Sequence, residues 1–333
     1  MLKDKKVLFI APSFFGYEKD IAEELAALGA EVDYFDERPF TSSIAKILNR
    51  LNFKFFIKKN IKQHFNKIIN KSASKKYDFI FVISPETIDK DFLNKIKSTN
   101  ENMMSILYMW DSLRNKSNAK KLLPCFDKVY SFDSTDRNNG TDIKFLPLFY
   151  NNDFVFSNLD NAVDKLYSVS FIGTVHSDRV KLAKMVMKQF KDKGFDTYSF
   201  FYCPSRLLFI LKKIFTKEFD FISYNEVSFN SMSKKQIRDV FLKSNAVIDI
   251  QHPDQTGLTM RSVEMLGLNR KLITTNLDIK NYDFFNDNNI AIIDRNSPFI
   301  PNEFITSNYM APNKQLVYQY SLQNWVRFLF KKD

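Results

Sequence analysis

The stretch AVIDIQHPDQTGLTMRSVEMLGLNRKLITTN, residues 246–276, decides the fold prediction. Its first apolar run, Ala246–Ile250, predicts a buried strand, and a polar loop follows. A helical pattern over Leu258–Leu266 then leads into a second apolar run, Lys271–Thr275. Two short buried strands joined by a helix are typical of a parallel sheet built from βαβ units.

The same alternation of apolar runs and helical patterns continues on both sides of this stretch. The further candidate strands are Val7–Ala11, Glu31–Phe35, Tyr77–Ile83, Met104–Met109, Lys128–Phe132, Ile143–Leu146, Tyr167–Ile172, Thr197–Tyr202 and Ile290–Ile293. The further candidate helices are Glu18–Leu28, with Gly29 expected as its left-handed cap, Asp178–Lys193, Ser205–Thr216 and Lys234–Ser244. The pattern predicts an α/β protein with two Rossmann-like, doubly wound domains facing a cleft.

The length of the chain also favours two domains. A single hydrophobic core rarely grows beyond about 250–300 residues, and this chain has 333. Residues 151–165 are rich in Asn and Asp and lack periodicity, so we expect them to link an N-terminal domain (1–150) to a C-terminal domain (166–312). Within the remaining residues 313–333, Lys314–Phe330 is predicted to be one helix that packs back on the N-terminal domain.

The composition excludes several classes of protein. No apolar run approaches the roughly 18–20 residues of a membrane-spanning helix, and the N-terminus lacks the apolar core of a signal peptide. The two cysteines, Cys125 and Cys203, make no disulfide framework. The three histidines, His64, His176 and His252, lack metal-ligand spacing, so we expect neither a bound metal nor a cofactor. These features predict a cytoplasmic location.

The net charge of +11 is concentrated in one segment. Arg38–Tyr77 holds 11 lysines and arginines and no acid, whereas the other 38 basic residues balance the 38 acidic ones. Within residues 42–71, apolar residues recur at helical spacing among the lysines, which predicts binding to an anionic membrane surface at the inner face of the cell membrane. The alternative is core packing with solvated lysines. A local patch argues against a general nucleic-acid binder.

The loop and helix within residues 246–276 supply a candidate anion site. Gly257 and Thr259 lie where unpaired backbone N–H groups gather at a helix N-terminus, which can hold a diphosphate. Arg261 can add a fixed cation, and Glu264 can accept hydrogen bonds from two adjacent hydroxyls, such as those of a ribose. The alternative is an ordinary βα unit in which Glu264 is a surface residue and Thr259 a helix cap.

Residues 257–276 resemble the donor-nucleotide motif of GT-B glycosyltransferases. The likeness is to the bacterial surface-polysaccharide and CgeB-like transferases, which show an R-x-x-E-x-x-x-x-x-x-K-x-I-T pattern. The resemblance implies that the helix N-terminus faces the donor diphosphate and that Glu264 binds the ribose. Many retaining members have a second glutamate eight residues before the ribose-binding one. Thr256 stands at that position here, which favours inversion or a divergent site.

A second turn in the C-terminal half resembles the glycine-containing turn of GT-B donor sites. Gly173 at a strand end would allow close approach of a ligand, and His176 and Arg179 would meet phosphate oxygens. The alternatives are a surface-loop histidine and a helix-face cation. The predicted donor site also includes His252, Gln255 and Thr256, and His252 has the alternative role of structuring its loop.

In the N-terminal half the resemblance implies an acceptor site. Its candidate residues are Ser13, Phe14 and Tyr17, which follow the first strand without a G-x-G-x-x-G motif, and Trp110, a stacking platform for a sugar. An inverting transfer needs a base for the acceptor hydroxyl. Asp111 is the first candidate for this base and Glu86 the second. The alternative for both carboxylates is to cap the following helix.

These observations favour a glycosyltransferase of bacterial capsule, O-antigen or exopolysaccharide synthesis. It would move a sugar from a nucleoside-diphosphate donor to a glycan or lipid-linked acceptor. Two alternatives stay open. A nucleotide-sugar epimerase on the same architecture would act without an acceptor. A non-catalytic basic protein would bind membranes or nucleic acid in a salt-sensitive way and would have no affinity for nucleoside diphosphates.

Overall fold

The chain divides into two compact units in the computed structural model, which describes residues 1–38, 58–138, 142–253 and 256–331. Unit 1 comprises Met1–Pro147 and Leu322–Asp333, and unit 2 comprises Leu148–Ser321. Residues 151–165, predicted from the sequence as a linker, belong to unit 2, where Phe154 is buried. In the part of the chain that the structure describes, no helix is long and apolar enough to cross a membrane.

Unit 1 is built on a six-stranded parallel sheet. Its strands are β1 (Lys6–Ala11), β2 (Glu31–Asp36), β3 (Phe79–Ile83), β4 (Met104–Met109), β5 (Lys128–Ser131) and β6 (Ile143–Phe145), in the order β2-β1-β3-β4-β5-β6. Its first helices are α1 (Tyr17–Ala27), α2 (Lys58–Ser74), α3 (Lys90–Thr99) and α4 (Ser117–Leu122). All five residues of β3 are buried, as expected for a parallel strand covered by helices on both faces.

Unit 2 is built on a second six-stranded parallel sheet. Its strands are β7 (Tyr167–Thr174), β8 (Thr197–Tyr202), β9 (Val227–Ser228), β10 (Ser244–Asp249), β11 (Lys271–Thr274) and β12 (Ile290–Ile292), in the order β12-β11-β10-β7-β8-β9. Its helices are α5 (Arg179–Lys191), α6 (Arg206–Phe215), α7 (Lys234–Leu242), α8 (Met260–Gly267), α9 (Asn302–Thr306) and α10 (Lys314–Gln319). The predicted fold class, two doubly wound Rossmann-like units, is confirmed. The sequence pattern missed only the two-residue strand β9 among these twelve.

The chain then returns to unit 1 through α11 (Leu322–Leu329). The prediction of one helix over Lys314–Phe330 is therefore wrong. Between α10 and α11 the backbone pairs with another segment, since the N–H of Tyr150 donates to the carbonyl of Tyr320 (2.9 Å) and Tyr150 forms a β-bridge with Ser321. This pairing interrupts the helical hydrogen bonds.

Helix α11 packs on the unit 1 sheet through its tryptophan. The ring of Trp325 is fully buried and lies 4.7 Å from the ring of Tyr108 and 6.0 Å from that of Phe81, between ring centroids. Large aromatic contacts of this kind contribute strongly to a core. The end of the chain is thus an integral part of unit 1.

Helix α2 contains the described part of the basic segment 42–71, and residues 39–57 lie outside the described ranges. Its apolar residues Phe65 and Ile68 are buried in the unit 1 core, while Lys71 forms an ion pair with Asp33 (2.7 Å). In α2 the apolar stripe therefore packs against the core, as the alternative interpretation expected. The described part of the segment offers lysines to the surface, not apolar side chains.

Candidate functional site

The carboxyl edge of the unit 2 sheet contains most of the predicted donor residues. The strand order changes direction between β7 and β10, the first and fourth strands of the unit. At such a switch point the connections after the two strands run to opposite faces of the sheet and leave a crevice in which open α/β sheets bind ligands. The loops after β7 and β10 carry the candidate residues His176, Arg179 and His252.

Two arginines lie at this switch point. Arg179 is the first residue of α5, and its Nε donates a hydrogen bond to the carbonyl oxygen of Ile250 (2.5 Å), so it joins the two loops. Arg295, after β12, donates to both carboxylate oxygens of Asp178 (2.8 Å each) and to the carbonyl of Gln251 (2.6 Å). Burial lowers the pKa of Arg179, but a guanidinium stays charged at neutral pH.

Two histidines come from the same pair of loops. The ring centroids of His176 and His252 are 6.1 Å apart, and Nδ1 of His176 lies 3.0 Å from the hydroxyl oxygen of Ser177. Burial, and then the neighbouring charges of Arg179 and His252, lower the pKa of His176 to about 4. His176 is therefore neutral at neutral pH. An anion bound beside it would raise this pKa.

The N-terminus of α8 is fixed by a buried carboxylate. Thr259 is the N-cap, and its hydroxyl accepts a hydrogen bond from the N–H of Ser262 and donates one to Asp249 (2.5 Å). The hydroxyl of Ser262 also donates to Asp249 (2.8 Å). Thr259 is thus a helix cap, as the alternative predicted, and its hydroxyl is engaged within the protein. A ligand would meet backbone N–H groups here.

The loop before α8 is tied to the end of the neighbouring strand β11. The side-chain amide of Asn276 donates to the carbonyl oxygens of Thr256 (2.9 Å) and Gly257 (3.2 Å). Gly257 is buried and Thr256 is exposed. The predicted donor residue Gln255 lies outside the described residues. The anchoring by Asn276 sets the position at which the chain enters α8.

Arg261 and Glu264 form a buried pair one turn into α8. The carboxylate of Glu264 is 2% exposed, so the alternative that it is a surface residue is wrong. Nη1 of Arg261 lies 3.6 Å from Oε2 of Glu264, and the guanidinium stacks on the ring of Phe241 at 4.2 Å from its centroid. Within the described ranges, Nη1 of Arg261 is buried and has no hydrogen-bond partner. The arrangement holds the carboxylate in one orientation.

Gly173 is the penultimate residue of β7. A Cβ atom at this position would be 2.7 Å from Cζ of Phe171, closer than van der Waals contact allows. Packing within the strand is therefore a sufficient reason for this glycine, and close approach of a ligand stays a prediction.

The carboxyl edge of the unit 1 sheet carries exposed aromatic rings. Phe14 packs against Tyr17, Trp110 and Phe15, with centroid distances of 6.4, 5.8 and 4.7 Å. Phe14 and Phe15 are largely exposed although they are apolar. The loop is held by Glu18, a buried carboxylate that accepts hydrogen bonds from the backbone N–H of Phe14 (3.0 Å) and, in the same loop, from the hydroxyl of Ser13 (3.2 Å).

Both candidate bases bind the same lysine. Nζ of Lys116 lies 2.5 Å from a carboxylate oxygen of Glu86 and 3.5 Å from one of Asp111. Burial opposes the charge of Lys116, but the two carboxylates outweigh it and raise its pKa. Neither carboxylate caps a helix, because Lys116 precedes α4 and Asp89 caps α3. The helix-cap alternative is therefore wrong for both residues.

A buried glutamate that the sequence reasoning missed positions the loop of Glu86. Oε1 of Glu37 accepts hydrogen bonds from the backbone N–H groups of Glu86 (2.8 Å), Thr87 and Ile88 (3.1 Å). Burial outweighs these hydrogen bonds and raises the pKa of Glu37 to about 7. The available signal for this residue was an acid directly after the predicted strand β2.

Other positioning residues also escaped the sequence reasoning. Asp249 and Arg295 had a signal of the same kind, a charged residue at or just after an apolar run, whereas Lys116 had none. Across the described ranges, no group of three or more His, Cys, Asp or Glu residues could hold a metal ion.

Comparison with known proteins identifies the fold. No family model matches the sequence, and no curated protein matches it. Solved structures match over nearly the whole chain at low identity. The lipopolysaccharide outer core galactosyltransferase WaaB has a TM-score of 0.52 and 11% identity, with 97% of this chain and 98% of WaaB covered. Anabaena HepE in complex with UDP-glucose has a TM-score of 0.57 and 11% identity, with 97% and 98% covered.

An enzyme of another activity is also similar. The UDP-GlcNAc 2-epimerase from Methanocaldococcus jannaschii has a TM-score of 0.51 and 10% identity, with 97% of this chain and 99% of the epimerase covered. Identities this low establish the fold and not the activity. The chain has the GT-B fold.

Proposed function

We propose that the protein is a glycosyltransferase that moves a sugar from a nucleoside-diphosphate donor to a glycan or lipid-linked acceptor. The observation that carries the proposal is the cationic switch point of unit 2, where Arg179 and Arg295 accompany the N-terminus of α8. Guanidinium groups and helix N–H groups at the carboxyl edge of a parallel sheet suit a diphosphate. The fold shared with WaaB and with HepE, which was solved with UDP-glucose, supports the same activity.

The proposed chemistry is a single displacement without a metal. The acceptor hydroxyl oxygen attacks the anomeric carbon, and the bond from that carbon to the diphosphate oxygen breaks. The electron pair leaves with the nucleoside diphosphate, whose growing negative charge would be stabilised by Arg179 and the N–H groups of α8. Because this charge is larger in the transition state than in the bound donor, the interaction raises the rate as well as the affinity.

For the nucleoside we propose Glu264 as the ribose ligand and Arg261 as the residue that orients it. Since Glu264 is almost fully buried, a ribose can reach it only by displacing part of its present surroundings. Donor binding is therefore expected to shift the Arg261 side chain. The other proposed donor contacts are Gly173, His176, His252, Gln255, Thr256, Gly257 and Thr259.

On unit 1 we propose Asp111 as the base that accepts the proton of the acceptor hydroxyl, with Glu86 as the second candidate. Lys116 pairs with both side chains and holds them close together. The rings of Phe14, Tyr17 and Trp110 offer a stacking surface for a sugar, and the Ser13 hydroxyl lies in the same loop. One displacement at the anomeric carbon gives inversion.

We further propose that the acceptor belongs to a bacterial capsule, O-antigen or exopolysaccharide and is met at the cytoplasmic face of the membrane. The basic segment 42–71 would bind anionic lipid there, where a lipid-linked acceptor would be held. Because the apolar stripe of α2 is buried, its described part would contribute lysines alone.

A donor screen tests the activity. Thermal stabilisation by UDP-, GDP-, dTDP- and CMP-sugars identifies the donor, since a ligand at about 100 times its Kd adds about 2.7 kcal/mol of stability. The identified donor is then incubated with and without a lipid-linked acceptor extract, and the products are analysed by mass spectrometry. Release of the nucleoside diphosphate with a mass gain on the acceptor is the expected result.

Two other outcomes would overturn the proposal. An epimerised donor formed without an acceptor would establish the epimerase alternative, which the likeness to the M. jannaschii enzyme favours. No stabilisation by any of the nucleotide sugars would leave the protein as a non-catalytic binder of membranes or nucleic acid.

A further inference from the structure

Helix α6 in unit 2 turns its apolar side chains outward. Six of its ten residues are apolar and between 39% and 77% exposed, namely Leu207, Leu208, Ile210, Leu211, Ile214 and Phe215. A surface helix of a globular protein normally turns its apolar stripe to the core and its polar residues to water. In α6 this arrangement is reversed.

The exposed residues form one continuous face. At about 100° per residue, the six side chains cover an arc of about 160°. Phe209 lies opposite the centre of this arc, is 3% exposed, and packs in the unit 2 core against the ring of Phe219, with 5.3 Å between centroids. A single buried ring therefore anchors the helix, and nearly half of its circumference presents apolar side chains to the surroundings.

Cations border this face on both sides. Lys212 lies at one edge of the apolar arc, and Arg206 and Lys213 lie at the other. Residues 206–217 contain four lysines and arginines and no acid. Lys213 donates to the carbonyl oxygens of residues 219, 220 and 222 at 2.6, 3.3 and 3.0 Å, so its ammonium is fixed beside the apolar face.

The apolar surface continues beyond the helix. Phe221 and Tyr224 are about half exposed, and a groove of about 630 Å³ runs between them and the α6 residues Ile210 and Ile214. The ammonium of Lys181 lies 5.4 Å above the ring of Phe221, which adds a further cation at this edge. Three acids lie nearby: Glu218 pairs with Lys212, Glu226 pairs with Lys184, and Asp220 is exposed beside the groove.

We infer that this surface, hereafter the α6 surface (207, 208, 210, 211, 214, 215 and 221), inserts into the headgroup region of an anionic bilayer. An outward apolar arc with cations along both edges is the pattern of a helix that lies in a membrane interface. The acyl chains there contact the apolar side chains, and the lipid phosphates bind the cations. A protein partner would bury the arc but would not require cations on both sides. The inference does not depend on sugar transfer, and it concerns a different part of the chain from segment 42–71.

Insertion is measured with a tryptophan placed on the helix. The variant Phe215→Trp adds a reporter at a site that is 77% exposed, and Phe299→Trp is the matched control on unit 2, since Phe299 is 69% exposed. Both are titrated with vesicles of phosphatidylcholine and phosphatidylglycerol, with and without bromine on the acyl chains. The reporter at position 215 is expected to shift to shorter wavelength and to be quenched by the bromolipid, beyond the signal of the parent protein. Equal signals from both variants would overturn the inference.

A binding assay separates this surface from other causes of membrane association. In vesicle sedimentation, Ile214→Glu/Phe215→Glu is expected to lower partitioning onto anionic vesicles at least about tenfold, because two interfacial apolar groups are replaced by anions. Leu277→Glu, at a residue that is 70% exposed, is the control expected to bind like the parent protein. Since the substituted side chains are exposed, the melting temperature should not fall.

Two results would contradict the inference. In the first, vesicle binding is lost on replacing lysines of segment 42–71 by glutamine but is unchanged in Ile214→Glu/Phe215→Glu, so the basic segment alone binds the membrane. In the second, the parent protein elutes as a dimer that this variant converts to a monomer, without any difference in vesicle binding, so a second copy covers the surface.

Discussion

The carboxyl edges of the two sheets have the same architecture but present different side chains. In unit 2 the loops after the strands present cations and histidines, namely His176, Arg179, His252 and Arg295, beside the N-terminus of α8. In unit 1 the equivalent loops present carboxylates and exposed rings, namely Phe14, Glu86, Trp110 and Asp111. In both units the parallel sheet determines where a site can lie, and the side chains of the loops determine its chemistry.

Acidic side chains have a similar positioning role at both edges. In unit 2, Asp249 holds the first turn of α8 and Asp178 holds Arg295. In unit 1, Glu18 and Glu37 accept backbone N–H groups of the loops that carry the candidate residues. The candidate side chains differ, since unit 2 presents arginines whereas unit 1 presents carboxylates paired with Lys116. We propose that the arginines bind a diphosphate and that the carboxylates serve an acceptor hydroxyl.

The largest expected effect comes from the carboxylates of unit 1. In the presence of donor and acceptor, Asp111→Asn is expected to lower kcat by about 10²–10⁴-fold, the usual contribution of a general base. The Kd for the donor should not change, because the proposed donor residues lie in unit 2. Steady-state kinetics and calorimetry measure the two quantities.

Asp91→Asn, at an exposed acid on α3, is the control and should keep full activity. If Asp111→Asn keeps full activity and Glu86→Gln does not, the base is Glu86. Full activity in both variants would show that the carboxylates at this edge do not serve the reaction.

The next largest effect is expected at the cationic edge of unit 2. Arg179→Ala should raise the Kd for UDP by about 10- to 100-fold, the value of one or two charge-assisted hydrogen bonds. The affinity for uridine, which has no phosphate, should be unchanged. Calorimetry with UDP and with uridine isolates the contribution of the diphosphate to the binding affinity. Lys191→Ala, at the exposed far end of α5, is the control and should bind both ligands like the parent protein. Equal weakening of UDP and uridine would contradict a phosphate role.

Glu37 gives a pH-dependent effect on the stability of unit 1. Its pKa is raised from 4.5 to about 7, so the folded state holds the proton more tightly than the unfolded state. The associated stabilisation is complete below about pH 4.5 and is lost as the pH rises through about 7. Glu37→Gln cannot ionise and should therefore gain about 1–3 kcal/mol relative to the parent between about pH 5 and pH 8.

Tryptophan fluorescence during chemical unfolding measures this effect selectively, because Trp110 and Trp325 both lie in unit 1. The free energy of unfolding is compared between Glu37→Gln and the parent protein at about pH 5 and at about pH 8. If the difference is the same at both pH values, Glu37 is ionised in the folded state.

The smallest effect is expected from His176. Its pKa is about 4 without a ligand, and a bound diphosphate would raise it, so binding takes up a proton. The affinity for UDP should therefore rise as the pH falls from about 8 toward 5, by less than tenfold per pH unit. His176→Asn should remove that part of the pH dependence and leave only the part due to the ligand itself. Identical pH profiles for the variant and the parent would place His176 outside the site.

Much of this organisation could be predicted from the sequence. Parallel strands are continuous apolar runs, so β4 and β8 are recovered with their exact bounds, and Gly29 has the predicted left-handed conformation (φ 98°). The break between α10 and α11 could not be predicted, because it depends on pairing with Tyr150, which is distant in sequence.

The residues of the candidate site could be predicted from the sequence, whereas most of their contacts could not. Periodicity alone left Glu264 either at the surface or in a site, and its burial beside Arg261 follows only from the tertiary structure. The pairing of Lys116 with Glu86 had no local signal, since Glu86 follows β3 whereas Lys116 and Asp111 share the loop after β4. Long-range ion pairs of this kind leave no periodic pattern in a sequence.

The most direct test of the central claim is a crystal structure with UDP bound. The diphosphate is expected at the switch point of unit 2, within hydrogen-bond distance of the Arg179 guanidinium and of backbone N–H groups at the start of α8. A diphosphate bound at the carboxyl edge of unit 1, or one that contacts neither group, would contradict this claim.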